Sequence, residues 1–344
     1  MTKQIKVGNV FLGGGSPVRI QSMLNTDSRN TNACIEQAKA LENIGCEIIR
    51  LAIPDMESLN TIYALKNSIS IPVVADIHFN YRLAIESVNA GADKIRINPG
   101  NIGDDSRVKA VVEVCKQKNI PIRVGVNSGS LEKSVLSKYN GVTAPALAES
   151  ALYSASLVER FNYNNIVLSV KSADVKDTVE ANRLLSEQSD YPLHIGVTEA
   201  GTVGTGIVKS SIGIGSLLLD GIGDTIRVSL TADPKEEIYA AKKILRSLGL
   251  SGGVNVVACP TCGRTQVDVI GLANQVENAL SASAKNITVA VMGCAVNGPG
   301  EAKNADIGVA GGNGRWSLIK KGEVVRGIEP ENVLNELLKE IESM

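Results

Sequence analysis

The stretch IPVVADIHFNYRLAIESVNAGADKIRINPGNIG (71–103) contains the unit on which the fold of this chain depends. It begins with a short β-branched strand, IPVVADI (71–77), continues with an amphipathic helix, RLAIESVNAGA (82–92), and returns to a strand, ADKIRIN (92–98). Gly91 is the expected C-cap of that helix. Two strands joined through a helix predict parallel pairing within one sheet.

The same alternation extends over most of the N-terminal part of the chain. Eight strand–helix units are typical of a (β/α)8 TIM-type barrel, which needs about 250 residues. The longest interval between strands, 127–164, leaves room for an extra helix or loop, and KVGNVFLGGG (6–15) predicts a hairpin that could close the barrel bottom. The candidate strands are 18–23, 46–52, 71–77, 92–98, 120–126, 165–171, 192–197 and 224–230.

A domain boundary is expected near residue 250. EEIYAAKKILRSLGLSGG (236–253) predicts a helix that runs into a Gly-rich linker. The sequence therefore predicts a barrel domain over 1–250 that binds the substrate and a smaller α+β domain over 251–344 that holds a metal cluster. In the smaller domain we expect a strand, a CPTC turn, a helix over 265–280, a strand, a GC turn, a hairpin across Lys321-Gly322 and a terminal helix.

Composition excludes several classes of protein. The 344 residues are 44% hydrophobic, and the net charge of −1 disfavours a general nucleic-acid binder. Aromatic residues make up only 3%, which disfavours a base-stacking surface. No apolar run approaches the roughly 18 residues of a membrane span, and the N-terminus lacks the apolar core of a signal peptide. We therefore expect a cytoplasmic protein without a disulfide framework.

Three of the six cysteines form the most informative motif of the C-terminal part. Cys259 and Cys262 lie in CPTCGR and Cys294 lies in MGCAVNGPGEA, and both turns follow apolar β-like runs. CxxC alone is compatible with a zinc knuckle, a redox dithiol or a cluster site. Three thiolates indicate an iron–sulfur cluster with an exchangeable corner, for which Glu301 is either an oxygen ligand or a solvated loop residue.

The other three cysteines occur in apolar, helix- or strand-like contexts. Buried and inert thiols are the expected state of such residues. They are Cys34, Cys46 and Cys115.

Cations recur late in several predicted strands, where a barrel carries its chemistry. Arg50, Arg96, Arg123 and Lys171 hold equivalent positions in four strands and would surround one mouth. Outward orientation and pairing with helix acids is the alternative for each. As a set they would repel one another without an anion between them, which favours a diphosphate-like ligand.

Further polar residues follow the same strands. Asp76 could organise the neighbouring arginines, and Glu199 is a candidate proton donor. His78 and His194 are the only histidines, and each is either a hydrogen-bonding core residue or an acid at the mouth.

Several long motifs of the chain resemble those of a known enzyme family. CPTCGR, GCAVNGPGEA, RINPGNIG, VGVNSGSL and GVTEAG resemble those of the bacterial 4-hydroxy-3-methylbut-2-en-1-yl diphosphate synthases, over essentially the entire chain. The resemblance implies conversion of 2-C-methyl-D-erythritol 2,4-cyclodiphosphate to 4-hydroxy-3-methylbut-2-en-1-yl diphosphate. It implies a 4Fe–4S cluster, two electrons from a reduced flavodoxin or ferredoxin, and a head-to-tail homodimer.

The resemblance also assigns residues. The implied cluster ligands are Cys259, Cys262, Cys294 and Glu301, with Glu301 displaceable and therefore catalytic. The implied diphosphate ligands are Arg50, Arg96, Arg123, Lys171 and Ser229, and the other matching active-site positions are Asp76, His78, Asn98, Asn127 and Glu199.

Two rival functions remain open on the sequence. One is an electron carrier or redox sensor with an inactive barrel. The other is a phosphate-binding barrel aldolase or pterin-type transferase that carries a structural zinc domain.

Overall fold

The computed structural model describes residues 1–281, 283, 285–294, 300, 302–312 and 314–344, and of Ser130 the backbone alone. The chain divides into two compact units, Met1–Leu250 and Ser251–Met344. Among the described residues, no helix combines the length and the apolar character needed to cross a bilayer.

The first unit is a TIM-type barrel, as predicted. A short antiparallel hairpin precedes eight parallel strands, and the sheet closes through a parallel bridge between Leu168 and Leu193. All eight predicted strands are present, although most are shorter than the apolar runs that indicated them. The hairpin strands are β1 Ile5–Val7 and β2 Val10–Leu12, and the barrel strands are β3 Arg19–Met23, β4 Ile48–Ala52, β5 Val73–Asp76, β6 Lys94–Ile97, β7 Ile122–Asn127, β8 Ile166–Lys171, β9 His194–Ile195 and β10 Thr225–Ile226.

Helices connect the barrel strands. The long interval after β7 contains two of them, as the sequence allowed, and Gly91 follows the third helix with φ +100°, the conformation expected of a residue that ends a helix. The helices are α1 Thr31–Asn43, α2 Leu59–Lys66, α3 Tyr81–Asn89, α4 Pro99–Ile102, α5 Asp105–Lys118, α6 Lys133–Tyr139, α7 Ala144–Glu159, α8 Val175–Gln188, α9 Val203–Leu219 and α10 Pro234–Ser247.

Period-2 alternation separates the two faces of the barrel strands. Ile49, Leu51 and Ile95 belong to the large hydrophobic core that also contains residues of the surrounding helices, such as Leu41 and Val88. The alternate residues face the barrel interior. At its bottom the β1–β2 hairpin forms an apolar plug, in which Ile5, Val7 and Leu12 pack against Ile48, Val74 and Val167.

The second unit is a mixed sheet with helices. In the order β11-β12-β13-β14-β15, the first three strands are parallel and the last three antiparallel. The β14–β15 turn uses Lys321 and Gly322 with φ +48° and +84°, which confirms the predicted hairpin. The elements are β11 Asn255–Ala258, α11 Val269–Leu280, β12 Thr288–Met292, β13 Ile307–Gly312, β14 Arg315–Lys320, β15 Glu323–Ile328 and a terminal helix, Val333–Glu342.

The predicted start of the helix at residue 265 is wrong. The Thr265 hydroxyl accepts a hydrogen bond from the Cys262 amide, and the Gln266 amide donates to the Gly293 carbonyl. These bonds keep 265–266 in the cysteine loop. The helix begins only after Asp268, whose carboxylate accepts from the Gly271 amide as the N-cap.

Candidate active site

Four buried cations meet inside the barrel near the C-terminal ends of its strands. Arg50, Arg96, Arg123 and Lys171 have only 9%, 8%, 3% and 7% of their surface exposed. Arg96 and Arg123 are direct neighbours across the β6–β7 pair, so their side chains point to the same face. Outward pairing with helix acids is therefore wrong for this set. Arg19 of β3 and Lys66 of α2 form ion pairs with Glu47 and Asp93, which lie on the loops before β4 and β6.

Asp76 is the carboxylate that joins two of these cations. Its Oδ1 lies 3.1 Å from Arg96 Nη1, and its Oδ2 lies 3.7 Å from Arg50 Nε. Burial would raise the pKa of Asp76, but the positive charges of Arg50, Arg96 and Arg123 outweigh burial and lower it. Asp76 is thus ionised and orients the guanidinium groups.

Within the described part of the chain, the acidic side chains compensate only part of the positive charge of the cluster. Burial, together with the charges of Arg227 and Arg96, lowers the pKa of Arg50 to about 10 against the opposing effect of Asp76. Burial and neighbouring arginines also bring the pKa values of Arg123 and Lys171 well below their ordinary range. Among the described residues, Arg123 Nε and Nη1 have no hydrogen-bond partner. An anion at this position would supply both the missing partner and the missing charge.

Two glycines make room for the cations. A Cβ on Gly125 would lie 2.9 Å from Arg96 Nε, and a Cβ on Gly196 would lie 2.8 Å from Lys171 Nζ and 2.3 Å from the Arg227 carbonyl oxygen. Any side chain at these positions would occupy the space of a basic group. Glycine is required at both positions because the basic side chains approach the backbone closely.

The other sequence-predicted residues are distributed around the mouth. His78 Nε2 lies 3.8 Å from Asp76 Oδ2, while 59% of the His78 side chain is exposed. Asn127 is paired in register with Lys171 at the ends of β7 and β8. Asn98 is 4% exposed, and its side-chain oxygen accepts from the Gly100 amide as the N-cap of α4. Part of its hydrogen-bonding capacity is therefore already used.

Glu199 and Ser229 lie on the loops after the last two strands. Glu199 is exposed, and its backbone has φ +52°, a left-handed conformation that is uncommon for a residue with a side chain. Such strain is found preferentially at functional sites. Ser229 is half-buried and precedes Leu230, whose amide donates to Glu237.

Glu237 of α10 is a site residue that the sequence did not reveal. Its carboxylate, 4% exposed, accepts from the Ser22 hydroxyl at 3.0 Å, from Arg227 Nη2 at 3.4 Å and from the Leu230 amide at 3.1 Å. It therefore fixes Arg227 and the Ser229 loop from outside the barrel. The sequence pattern did not distinguish Glu237, because acidic residues are common in the first turn of a helix, where they interact favourably with the helix dipole.

His194 does not lie exposed at the mouth as His78 does. It is fully buried within the barrel, and among the described residues neither ring nitrogen has a hydrogen-bond partner. Burial, with the charges of Lys171, Arg123 and Lys94, brings the pKa of His194 well below its ordinary value. His194 is therefore a neutral interior residue.

The cysteine loops lie at one edge of the second sheet. Strands β11 and β12 are adjacent and parallel, so the loops that follow them meet. The Gly293 amide, next to Cys294, donates to Cys259 Sγ at 3.0 Å, and Cys262 is exposed nearby on the same loop as Cys259. Within the described part of the chain, none of the three forms a disulfide. A sulfur that accepts a backbone N–H suits a metal-bound thiolate.

The fourth implied ligand is not described. Glu301 and residues 295–299 of the GC turn lie outside the described residues. Within the described part of the chain, no three His, Cys, Asp or Glu side chains converge as a ready site for a single metal ion. The donor set itself, three thiols on two adjacent loops, fits an iron–sulfur cluster better than an ion that prefers oxygen ligands.

The buried thiols of the barrel contrast with these. Burial raises the pKa of Cys34 to about 11 and the pKa values of Cys46 and Cys115 to about 12. They are inert, protonated core residues, as the sequence indicated.

Polar side chains gathered at the C-terminal ends of the barrel strands define the class: this is a TIM-barrel enzyme with an appended thiol-bearing domain. Sequence models of the GcpE TIM-barrel domain and of the GcpE protein C-terminal domain match residues 2–242 and 255–343. The chain belongs to the GcpE family. Curated relatives of it carry the name 4-hydroxy-3-methylbut-2-en-1-yl diphosphate synthase (flavodoxin).

Relatives match along the full length. The 4-hydroxy-3-methylbut-2-en-1-yl diphosphate synthase (flavodoxin) of Ruminiclostridium cellulolyticum is 56% identical, over 100% of this chain and 98% of the relative. Those of Caldanaerobacter subterraneus and Geobacter sulfurreducens are 55% and 50% identical, again over 100% of this chain and over 97% and 98% of the relatives.

Two solved structures resemble about three quarters of the chain. Dihydropteroate synthase from Xanthomonas albilineans matches with a TM-score of 0.51 at 12% identity, over 72% of this chain and 99% of that one. A truncated 3-deoxy-D-arabino-heptulosonate 7-phosphate synthase from Thermotoga maritima matches with a TM-score of 0.51 at 16% identity, over 72% and 94%. At such identities the likeness concerns the fold only.

Proposed function

We propose that the chain catalyses the reductive ring opening and dehydration of 2-C-methyl-D-erythritol 2,4-cyclodiphosphate to 4-hydroxy-3-methylbut-2-en-1-yl diphosphate, a step of isoprenoid biosynthesis. The observation that carries this proposal is the buried cation cluster of Arg50, Arg96, Arg123 and Lys171. Its uncompensated charge calls for a compact, multiply charged anion, and a diphosphate has that charge.

Each residue of the mouth then has a role. Arg50, Arg96, Arg123 and Lys171 hold the diphosphate, and Asp76 keeps Arg50 and Arg96 oriented. The Ser229 hydroxyl donates to a phosphate oxygen. The remaining contacts of the ring come from His78, Asn98 and Asn127 at the rim.

Glu199 is the proposed proton donor for the departing water. Glu199 is exposed on the loop after β9, and its left-handed backbone is strain of the kind found preferentially at functional sites. A positioned acid contributes about 10²–10⁴-fold to a proton-transfer step.

Cys259, Cys262 and Cys294 would hold a 4Fe–4S cluster, with Glu301 as the fourth and displaceable ligand. When bound, such a cluster supplies the two electrons of the reaction singly. Reduced flavodoxin or ferredoxin is the proposed donor, and the names of the relatives specify flavodoxin. A head-to-tail homodimer and a cytoplasmic location remain predictions, as does the expectation of no nucleic-acid or membrane partner.

Binding of the cyclodiphosphate tests the site. Arg123→Ala should weaken binding by at least 10-fold, because removing one partner of a buried charge-assisted contact costs about 2–5 kcal/mol. The measurement is a calorimetric titration of the anaerobically purified chain without reductant. Arg183→Ala, which removes an exposed arginine paired with Asp220 on the outside of the barrel, is the matched control and should bind normally. Unchanged affinity in Arg123→Ala would overturn the proposed site.

Turnover tests the proton donor. Glu199→Gln should retain cluster absorbance and substrate affinity while the reductant-dependent rate falls by roughly 10²-fold or more. The rate of product formation under strict anaerobiosis is the measured quantity. A variant with the full wild-type rate would remove Glu199 from the mechanism.

Metal analysis separates the proposal from its rivals. The anaerobically purified chain should contain iron and acid-labile sulfide in equal amounts. Cys259→Ser should lose both, whereas Cys34→Ala, which changes a buried thiol of the barrel, should keep them. Stoichiometric zinc without iron would favour a barrel transferase with a structural zinc domain. A cluster without affinity for the cyclodiphosphate would favour an electron carrier.

A further inference from the structure

Lys94 is a buried lysine below the cation cluster that the proposed reaction does not use. It precedes Arg96 by two residues on β6, so both side chains point into the barrel. Lys94 has 0% of its surface exposed, and among the described residues its Nζ has no hydrogen-bond partner. A permanently charged ammonium in such a place is costly.

The surroundings of Lys94 contain positive charge and apolar groups. It is paired in register with Val74, which belongs to the apolar plug at the barrel bottom. Burial, together with the charges of Arg123 and Arg50, lowers the pKa of Lys94 to about 7. The charges of Arg50 of β4 and Arg123 of β7 act on Lys94, and Lys94 acts in turn on His194 of β9. The other charged groups of the barrel interior are Asp76 of β5, Arg96 of β6, Lys171 of β8 and Arg227 beyond β10.

Asp76 offers little compensation at this depth. Its carboxylate is held by Arg96 and Arg50, one layer closer to the mouth. The neighbouring cations therefore repel the protonated form of Lys94 until a further negative charge binds nearby. The negative charge that the proposed function brings to these cations is the substrate diphosphate.

We propose that Lys94 takes up one proton from solvent when the diphosphate of the substrate binds above it. The neutral amine becomes an ammonium, and no other bond changes. Lys94 is a positioning residue: it does not touch the substrate but adds a positive charge beneath Arg96 and Arg123, which hold the anion. The inference rests on the proposed diphosphate site.

Linkage gives the direction of the effect. Binding that raises the proton occupancy of a group becomes weaker as pH rises above the pKa of that group in the free protein. The substrate does not titrate in this range, because each phosphorus of a cyclic diphosphate carries an ester oxygen and an anhydride oxygen and so lacks the second ionisation, near pH 6, of a phosphate monoester. The affinity should therefore fall between pH 7.5 and pH 9.

Proton uptake is measured directly by calorimetry. The anaerobically purified chain, without reductant, is titrated with the cyclodiphosphate at pH 8 in HEPES, tricine and Tris, whose ionisation enthalpies differ. Wild type should take up roughly 0.5–1 proton per substrate bound. Lys94→Met, which keeps the length and loses the amine, should take up less than about a quarter of that. Lys116→Met, an exposed lysine of α5, is the matched control and should match wild type.

Several outcomes would overturn the inference. One is equal proton uptake in wild type and Lys94→Met; another is loss of uptake in His194→Gln but not in Lys94→Met, which would assign the proton to His194. If Lys94→Met does not fold, wild type alone decides: a dissociation constant that is flat from pH 7.5 to pH 9 excludes the uptake. A wrong assignment of the diphosphate site would be detected separately, because Arg123→Ala would then bind the cyclodiphosphate with unchanged affinity.

Discussion

Gly125 shows how a single residue sets the geometry of the cation cluster. It lies on β7 between Arg123 and Asn127, and it has no side chain where the Arg96 guanidinium passes. Arg96 Nη2 reaches the Gly125 carbonyl oxygen at 3.5 Å. Gly125 therefore shapes the proposed binding site by leaving space for Arg96, although it contributes no chemical group to binding.

We predict that Gly125→Ala weakens substrate binding by roughly 10-fold or more, because the new methyl group displaces Arg96 from its contact with Asp76 and one charge-assisted bond costs about 1.5–3 kcal/mol. The dissociation constant of the cyclodiphosphate is the measured quantity. Gly204→Ala is the control, since a Cβ there meets nothing within 4 Å. Wild-type affinity in Gly125→Ala would show that Arg96 can move without consequence.

At the scale of elements, the β1–β2 hairpin separates the polar interior of the barrel from its bottom. Ile5, Val7 and Leu12 are at most 4% exposed and cover Ile48, Val74 and Val167. The barrel strands alone would leave this apolar layer open to water. The hairpin thus stabilises the barrel and excludes water from below the cations.

Leu12→Ala should reduce the free energy of unfolding of the barrel by about 2–5 kcal/mol, the usual cost of a cavity in a closed core. Denaturant titration followed by far-ultraviolet circular dichroism measures it, because the single tryptophan, Trp316, lies in the second unit. Phe11→Ala removes a larger side chain from the same hairpin, but Phe11 is 43% exposed, so the loss should be under about 1 kcal/mol. Equal losses of unfolding free energy in Leu12→Ala and Phe11→Ala would contradict the role of the hairpin as an apolar plug.

The two cysteine loops illustrate a second element-scale effect. Parallel pairing of β11 with β12 brings together residues that are 35 positions apart in sequence, Cys259 and Cys294. The Gly293–Cys259 hydrogen bond fixes the approach of the two loops. A local motif, CxxC, becomes a three-thiol site only through this pairing.

At the scale of the whole molecule, the barrel interior carries excess positive charge, and this has a consequence for stability. The pKa of Lys94 in the folded chain, about 7, lies below its ordinary value of 10.5. Between these values the unfolded chain binds more protons than the folded one, so stability rises with pH. The penalty of burying the ammonium is complete below pH 7 and disappears as pH approaches 10.5.

Lys94→Met lacks this penalty. We predict that its melting temperature exceeds that of wild type most at pH 6, and that the difference shrinks steadily between pH 7 and pH 9. Thermal denaturation of both proteins at several pH values, in the absence of substrate, is the measurement. A difference that is independent of pH would show that Lys94 does not titrate in the folded protein.

Much of the architecture followed from local pattern. Eight β-branched runs separated by amphipathic helices predicted the barrel, and all eight strands are present, because hydrophobic periodicity directly reflects which face of an element is buried. The hairpin at Lys321-Gly322 followed from turn chemistry in the same way. The start of α11 was misplaced because Thr265 accepts from the Cys262 amide of its own loop and Gln266 donates to Gly293 of the other cysteine loop, a remote partner that no helix propensity records.

The candidate site was predictable in part. The strand-end positions of Arg50, Arg96, Arg123 and Lys171 were readable, since the C-terminal ends of parallel strands must meet. Their orientation was not, because period-2 alternation allows either face until the barrel closes. Glu237 escaped notice because its partners, Ser22 and Arg227, come from other elements.

The sequence by itself determined the fold class, the domain order, the three thiols and the residue types at the strand ends, all of which depend on local periodicity and composition. Only the tertiary structure decided that the cations face inward around Asp76, that Gly125 and Gly196 make room for them, and that Lys94 and His194 are enclosed without hydrogen-bond partners among the described residues. The physical reason is burial. Dielectric environment, desolvation and the repulsion between charges from different strands arise only when the chain closes, and they set the pKa values on which the inference about Lys94 depends.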